Sequence, residues 1–331
     1  MKRLIWLFIL TISSALIACG GGSSSSPSSL GSAGGGNTQL LEAFVAPTDT
    51  DPAISIDTGD HYISINPDVS AKGKLFLFFP GTSAQPKGYT FIVQAAANNG
   101  YHAVGLAYVN DNTAYSLCNK TNDTLCPGNL HEEVLTGQDV SSVITVPVAD
   151  SIENRLTKLL IYLNQQRPND GWDQFLDSAD NILWNRIRVA GHSQGGSTAG
   201  YIATRFTVDR AIFFSSPYDQ VNNQMAAWIA AGNGASDPSR YYGFSHMNDQ
   251  TVPWMIALAN WTALNMNQFG DYLNVDSSSP PYNGSHMLST NLPPVIQLLG
   301  YHNITVVDSY TPLDATGQPV YLPVWQYLCF Q

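Results

Sequence analysis

The 331-residue chain has few charged side chains, and basic residues are the scarcer of the two signs. Charged residues make up 12% of the sequence, with 14 Lys and Arg against 25 Asp and Glu and a net charge of −11. A chain so poor in basic residues has little means of neutralising a phosphate backbone. The composition therefore argues against nucleic acid as a partner and favours a secreted or envelope protein.

Cysteine is also scarce, and its spacing does not match the common zinc sites. The four cysteines form no CxxC pair, and no His-x-x-x-His spacing occurs. We therefore expect no zinc site, and we expect no other metal and no cofactor. Cys118 and Cys126 lie in a polar segment with seven residues between them, which predicts a local disulfide in an oxidising compartment. Cys329 is then left as a free thiol, or is the alternative partner of one of them.

The main apolar run stands at the start of the chain and is too short for a stable membrane-spanning helix. It follows two basic residues and ends in Leu-Ile-Ala-Cys at Cys19, which resembles the lipobox of bacterial lipoproteins. That resemblance implies cleavage before Cys19 and acylation of its thiol, whereas the alternative is an ordinary cleavable signal. We predict a signal peptide at 1–18 and a lipidated Gly/Ser-rich tether at 19–39. The expected location is the cell envelope, at the outer membrane or cell surface, or outside the cell, with membrane contact through the lipid anchor only.

Apolar runs typical of buried strands alternate with helical patterns through the rest of the chain. Leu75–Phe79 and Ala211–Phe214 are continuous apolar runs, and 152–163 has the stripe of an amphipathic helix. This alternation predicts an α/β fold with a mostly parallel, doubly wound sheet and helices on both faces. Residues 54–65 predict a leading hairpin. Two segments without a clear period, 110–149 and 215–240, predict loop or lid excursions over the active site.

The sequence from Ile187 to Gly196 contains the pattern Gly-x-Ser-x-Gly around Ser193. A β-prone run precedes the pattern, and small helix-tolerant residues follow it. This layout is typical of a nucleophile elbow, a tight turn from strand to helix that lifts a serine above a sheet. The following helix N-terminus would place the amide of Gln194 where negative charge develops.

On this motif and its context, most of residues 70–331 resembles the α/β-hydrolase superfamily. The resemblance implies an α/β-hydrolase catalytic domain at 40–331 and a triad in the chain order Ser193, Asp249, His286. Ser193 is then the nucleophile, His286 the base and Asp249 the acid that orients it. It also implies an oxyanion hole formed by the amides of Gln194 and Thr82, with Ser83 as the alternative to Thr82.

Other residues compete for two of these roles. Asp219 follows the strand after the elbow, a position that some members of the superfamily use for the acid. His302 is the alternative base, and we rank it behind His286 because a strand-like run, 304–307, follows it. His192 is expected to have a structural role.

The predicted activity is that of a serine carboxylic ester hydrolase. A lipase or an extracellular polyester depolymerase shares the same triad and is the alternative, and a non-catalytic binding protein on the same scaffold is the rival from another class. The partner is a small-molecule or polymeric ester. The sequence leaves open the acyl and alcohol specificity and the oligomeric state.

Overall fold

A computed structural model describes residues 40–232 and 234–331 of the chain. The predictions for the signal peptide, Cys19 and the tether lie outside these residues. The strands are β1 (Leu41–Val45), β2 (His61–Ile65), β3 (Leu75–Phe79), β4 (His102–Gly105), β5 (Ile187–His192), β6 (Arg210–Phe214), β7 (Gln220–Val221), β8 (Gln224–Met225), β9 (Tyr241–His246), β10 (Leu273–Asn274) and β11 (Met287–Thr290).

In the described residues, ten α-helices lie between or after these strands. They are α1 (Pro47–Thr50), α2 (Thr90–Asn98), α3 (Ala114–Cys118), α4 (Cys126–Thr136), α5 (Ile152–Gln166), α6 (Gln194–Arg205), α7 (Ala227–Ala230), α8 (Trp254–Ala263), α9 (Gly300–Asn303) and α10 (Leu322–Trp325). A π-helical turn, Gln326–Phe330, follows the last of them. Within the two described ranges, no helix is long and apolar enough to cross a membrane.

Nine of these strands form one central sheet in the order β1-β2-β4-β3-β5-β6-β9-β11-β10. From β4 onward every neighbouring pair in this order is parallel, whereas β2 is antiparallel to both β1 and β4. The strands β7 and β8 form a separate small hairpin. The alternation of strands and helices in the sequence therefore correctly predicted an α/β fold with a mostly parallel sheet.

Both faces of the sheet are buried under helices. Along β3 the side chains of Leu75, Leu77 and Phe79 belong to one hydrophobic cluster, and those of Phe76 and Phe78 belong to another. The first cluster contains buried residues of α5 and α6, and the second contains those of α2 and the C-terminal π-helical turn. Because successive side chains of a strand point to opposite faces, a strand buried on both sides has the continuous apolar sequence seen here.

The segment 110–149 contains more regular structure than its sequence indicates. It carries α3 and α4, and Cys118 at the end of α3 forms a disulfide with Cys126 at the start of α4. Cys329 is a buried free thiol. The helix α4 ends where Gly137 adopts a φ of 73°, and Glu133 within it accepts hydrogen bonds from the amides of the following loop. Inward-facing polar residues such as Glu133 interrupt the hydrophobic periodicity from which a helix is predicted.

The predicted leading hairpin is wrong in its first strand. The strand that precedes β2 and pairs with it is β1, while Ile54 and Ile56 lie outside any strand. The amide of Ile56 donates to the Asp150 carboxylate and its carbonyl accepts from Arg155. The backbone of this segment is therefore hydrogen-bonded to side chains at the start of α5 and not to a neighbouring strand.

The end of the sheet also differs from the expectation. The predicted last strand around Tyr272–Val275 is only a two-residue edge strand, β10. The strand β11 follows it in the chain and lies between β9 and β10. The strand-like run at 304–307 is not a strand but continues the helical turn of α9, because the amide of Val307 donates to the carbonyl of Asn303.

A fully buried ion pair joins α5 to the segment before β2. The Arg155 guanidinium donates to Asp150 Oδ1 at 2.8 Å, to Thr58 Oγ1 at 2.9 Å and to the carbonyl of Ile56 at 2.7 Å. Neither side chain of the ion pair is exposed to solvent. Since α5 covers one face of the sheet, this pair fixes how the chain enters β2.

Removing one member of this pair leaves a buried charge without its partner. We expect Asp150→Ala to lower the free energy of unfolding by about 3–5 kcal/mol. Asp139→Ala, at an exposed position, is the control and should change it by less than ~0.5 kcal/mol. Urea unfolding followed by circular dichroism measures both, and equal effects of the two substitutions would contradict the structural role of the pair.

Candidate active site

Ser193 lies on the turn between β5 and α6 and has an unusual backbone conformation. Its φ of 54° and ψ of −121° are rarely adopted by a residue with a side chain. The two flanking glycines allow the turn to be this tight. A Cβ on Gly191 would lie 2.2 Å from the carbonyl carbon of Gly195, and a Cβ on Gly195 would lie 2.0 Å from the carbonyl oxygen of Phe79. The half-exposed serine is thus held above the sheet at the carboxyl end of β5.

Asp249 and His302 form a buried hydrogen-bonded pair at the same edge of the sheet. The Nδ1 of His302 donates to Asp249 Oδ2 at 2.8 Å, with Oδ1 at 3.1 Å. Asp249 follows β9, and its Oδ1 also accepts from the amides of Thr251 and Val252 at 2.8 and 2.9 Å. His302 lies on α9, after β11. With Nδ1 protonated toward the carboxylate, Nε2 of a neutral His302 is left as a proton acceptor.

The expected pairing of Asp249 with His286 is wrong. His286 immediately precedes β11, which is parallel to β9, whereas Asp249 follows the carboxyl end of β9. His286 is level with Tyr242 in the register of these strands, so the four residue steps from Tyr242 to His246 separate it from the end of β9 by roughly 13 Å. His286 is stacked between the rings of Tyr242 and Phe269 and donates from Nδ1 to the carbonyl of Tyr241 at 2.9 Å. Burial lowers the pKa of His286 to about 4, so it is a neutral structural residue at neutral pH.

Ser193 and His302 line one cavity together with Thr82, and this cavity has a volume of about 310 Å³. Ser193 also borders a second cavity of about 250 Å³, on the side of Gln194 and Asp219. The structure therefore brings together Ser193, His302 and the Asp249 that holds His302. It leaves His286 at the other end of the strands.

Two backbone amides next to Ser193 have no hydrogen-bond acceptor within the described part of the chain. They belong to Thr82, in the loop after β3, and to Gln194, the first residue of α6. The amide of Ser83, the alternative to Thr82, donates to the carbonyl of Asn110 at 3.0 Å. The side chain of Gln194 is fixed by the amide of Ala114, which donates to its Oε1. Amides at a helix N-terminus and in a neighbouring loop can stabilise an oxyanion without reorganisation.

His192 connects the three parts of this site. Burial, followed by the electrostatic effect of the neighbouring His302, holds the pKa of His192 well below its ordinary value, so its ring is neutral. A neutral ring accepts at one nitrogen and donates at the other. The Tyr89 hydroxyl donates to Nδ1 at 3.0 Å and accepts from the amide of Gly81, while Nε2 donates to the carbonyl of His302 at 3.1 Å. The elbow, the loop of Thr82 and the helix of His302 are thereby held in one network.

Asp219, the other candidate acid, has different partners. Its Oδ2 accepts from His131 Nε2 at 2.8 Å and from Trp228 Nε1 at 2.9 Å. All three residues are largely buried, beside α6. Asp219 therefore does not orient His302, and its position in the second cavity requires another explanation.

Comparison with known proteins adds no assignment. No protein-family model matches the chain, and no curated protein is significantly similar to it. In ranges 40–232 and 234–331, no group of three or more His, Cys, Asp or Glu side chains is arranged to hold a metal ion. The chemistry of the site is therefore inferred from its own geometry.

The two histidines can be separated by substitution. We expect His302→Ala to lower kcat for an activated ester on the order of 10⁴-fold, because the proton acceptor beside Ser193 is lost. His286→Ala removes a packed ring at the far edge of the sheet and should lower stability, with kcat per folded molecule changing less than about tenfold. Turnover of a p-nitrophenyl ester, normalised to the folded fraction from circular dichroism, measures both.

These assays belong at neutral or higher pH. Burial lowers the pKa of His61 to about 3 and that of His286 to about 4, from the ordinary 6.5. The unfolded chain binds these protons at a higher pH than the folded protein does, so stability falls as the pH drops from about 6.5 toward 4.

A larger loss of turnover in folded His286→Ala than in His302→Ala would overturn the assignment of His302.

Proposed function

We propose that this protein is a serine hydrolase that cleaves carboxylic esters through an acyl-enzyme, with Ser193, His302 and Asp249 as the triad. The observation that carries the proposal is that Ser193 and His302 line one cavity. Ser193 lies on a strained turn, and His302 Nδ1 is hydrogen-bonded to Asp249. The amides of Thr82 and Gln194 form the oxyanion hole.

The reaction follows from these positions. Ser193 Oγ attacks the ester carbonyl while His302 Nε2 takes its proton, and the carbonyl oxygen becomes an oxyanion bound by the two amides. Collapse of the tetrahedral intermediate breaks the bond to the alcohol oxygen, which receives the proton from His302. Water then attacks the acyl-enzyme with the same proton transfers, releasing the acid and restoring Ser193.

The chain order supports the finer proposal of an α/β-hydrolase fold. The nucleophile follows β5, the acid follows β9 and the base follows β11, in the order Ser, Asp, His that this superfamily uses. Attachment to the envelope through Cys19, or secretion, stays a prediction from the sequence.

A lipase or a polyester depolymerase is the second candidate, and exposed apolar side chains favour it. Val295 and Leu298 are 80% and 77% exposed, on the segment that leads into α9. The next residue, Leu299, lines the cavity of Ser193 and His302. Apolar side chains beside the cavity suit a substrate that is itself an apolar surface.

Covalent labelling tests the proposal most simply. A fluorophosphonate should label the wild-type protein, and Ser193→Ala should abolish labelling and lower ester turnover by ~10⁴-fold or more. Ser178→Ala, at an exposed serine away from the cavity, is the control and should be labelled normally. An unlabelled wild type without ester turnover would indicate the non-catalytic binding protein instead.

A further inference from the structure

The second cavity beside Ser193 has a mostly apolar wall and one charged group. Tyr115 and Tyr218, stacked at 4.9 Å, line it together with Val252. Asp219 is the one charged residue among those that line it, and only 1% of its surface is exposed. A carboxylate this well buried normally has all of its oxygen atoms hydrogen-bonded.

One oxygen of Asp219 has no such partner. Oδ2 accepts from both His131 and Trp228, whereas no residue of the described chain donates to Oδ1. Oδ1 is not sealed in the protein interior, so a small molecule such as water can reach it. Because Asp219 lines the cavity and Oδ1 is neither bonded nor sealed from solvent, we infer that Oδ1 faces the cavity space. A ligand in this cavity would meet a fixed acceptor that is already oriented by two donors on the opposite oxygen.

The proposed reaction decides which part of an ester enters each cavity. His302 must deliver a proton to the leaving alcohol oxygen, so the alcohol part lies in the cavity that His302 lines. The acyl part then extends from Ser193 into the other cavity, toward Asp219.

We propose that this cavity is the acyl subsite, and that it selects acyl chains bearing a hydrogen-bond donor, a hydroxyl or an ammonium group, which binds Asp219 Oδ1. The inference rests on the proposed ester hydrolysis. A purely apolar acyl chain would displace water from Oδ1 and leave a buried carboxylate oxygen unpaired. A site built for a donor discriminates strongly against a substrate that lacks one.

Matched p-nitrophenyl esters test this selection in the wild-type protein. The esters differ in the length of the acyl chain. At each length, the chain ends in a hydroxyl, an ammonium, a methyl or a methyl ketone group. At the length that reaches Asp219, we expect kcat/KM for the hydroxyl or ammonium ester to exceed that of the methyl ester by about 10- to 100-fold. The ketone, which can only accept, should show no gain, and the better of the two donors identifies the class of acyl group.

Asp219→Asn should change the preferred terminal group of the acyl chain from a hydrogen-bond donor to an acceptor. The amide oxygen can keep the hydrogen bonds from His131 and Trp228, which turns the NH₂ group toward the cavity. The ketone ester should then be preferred to the methyl ester, and the advantage of the ammonium ester should disappear. Glu133→Gln is the matched control. It changes another buried carboxylate, held by the amides of Ser141 and Val146 and not lining the cavity, and should keep the wild-type order.

A methyl ester hydrolysed as fast as the donor esters at every length would overturn the inference, even if Asp219→Asn fails to fold. So would a folded Asp219→Asn that keeps the wild-type order. If the protein hydrolyses esters but does not prefer acyl chains with a donor, the acyl subsite is rejected and the proposed ester hydrolysis is retained. A wild type that neither hydrolyses any ester nor reacts with a fluorophosphonate rejects the ester hydrolysis and this subsite together.

Discussion

The backbone contact between the Ser193 turn and β3 is the constraint on which the site depends. Gly195 approaches the carbonyl of Phe79 so closely that any side chain at that position would collide with it. This contact sets the start of α6 directly against the end of β3. The amide of Gln194 and the loop of Thr82 are thereby brought to the same place, and the serine between them keeps its strained φ because both neighbours are fixed.

The parallel sheet supplies the rest of the site. The carboxyl ends of β3, β5, β9 and β11 all lie at one edge of the sheet. Short loops after β3, β5 and β9 deliver Thr82, Ser193 and Asp249 to this edge, and the longer connection that carries α9 delivers His302. His192 then links the Ser193 turn, through Tyr89 and the carbonyl of His302, to its two neighbours. Buried, neutral and hydrogen-bonded at both nitrogens, it is a positioning residue for the proposed chemistry.

The parts of the fold that the sequence predicted correctly have strong local signals, such as the apolar run of β3, the stripe of α5 and the glycines around Ser193. The sequence pairs Asp249 with the wrong histidine because β11 has only four residues, and two of them, Ser289 and Thr290, are polar yet buried. Without β11, the last predicted strand is the one around Tyr272–Val275, and the next histidine after it is His286. Recognition of Met287–Thr290 as a strand would have made His302 the next candidate. The pairing of Arg155 with Asp150, which displaces the expected hairpin, depends on tertiary contacts that no local pattern encodes.

A crystal structure of the protein inactivated by an alkyl phosphonate tests the proposed triad and oxyanion hole together, because the adduct resembles the tetrahedral intermediate. If Ser193, His302 and Asp249 form the triad, phosphorus is bonded to Ser193 Oγ and the phosphoryl oxygen lies about 3 Å from the amides of both Thr82 and Gln194. His302 Nε2 then faces the adduct while Nδ1 remains bonded to Asp249. Phosphorus on another residue, or an adduct whose oxygen points away from both amides and from His302, would contradict it.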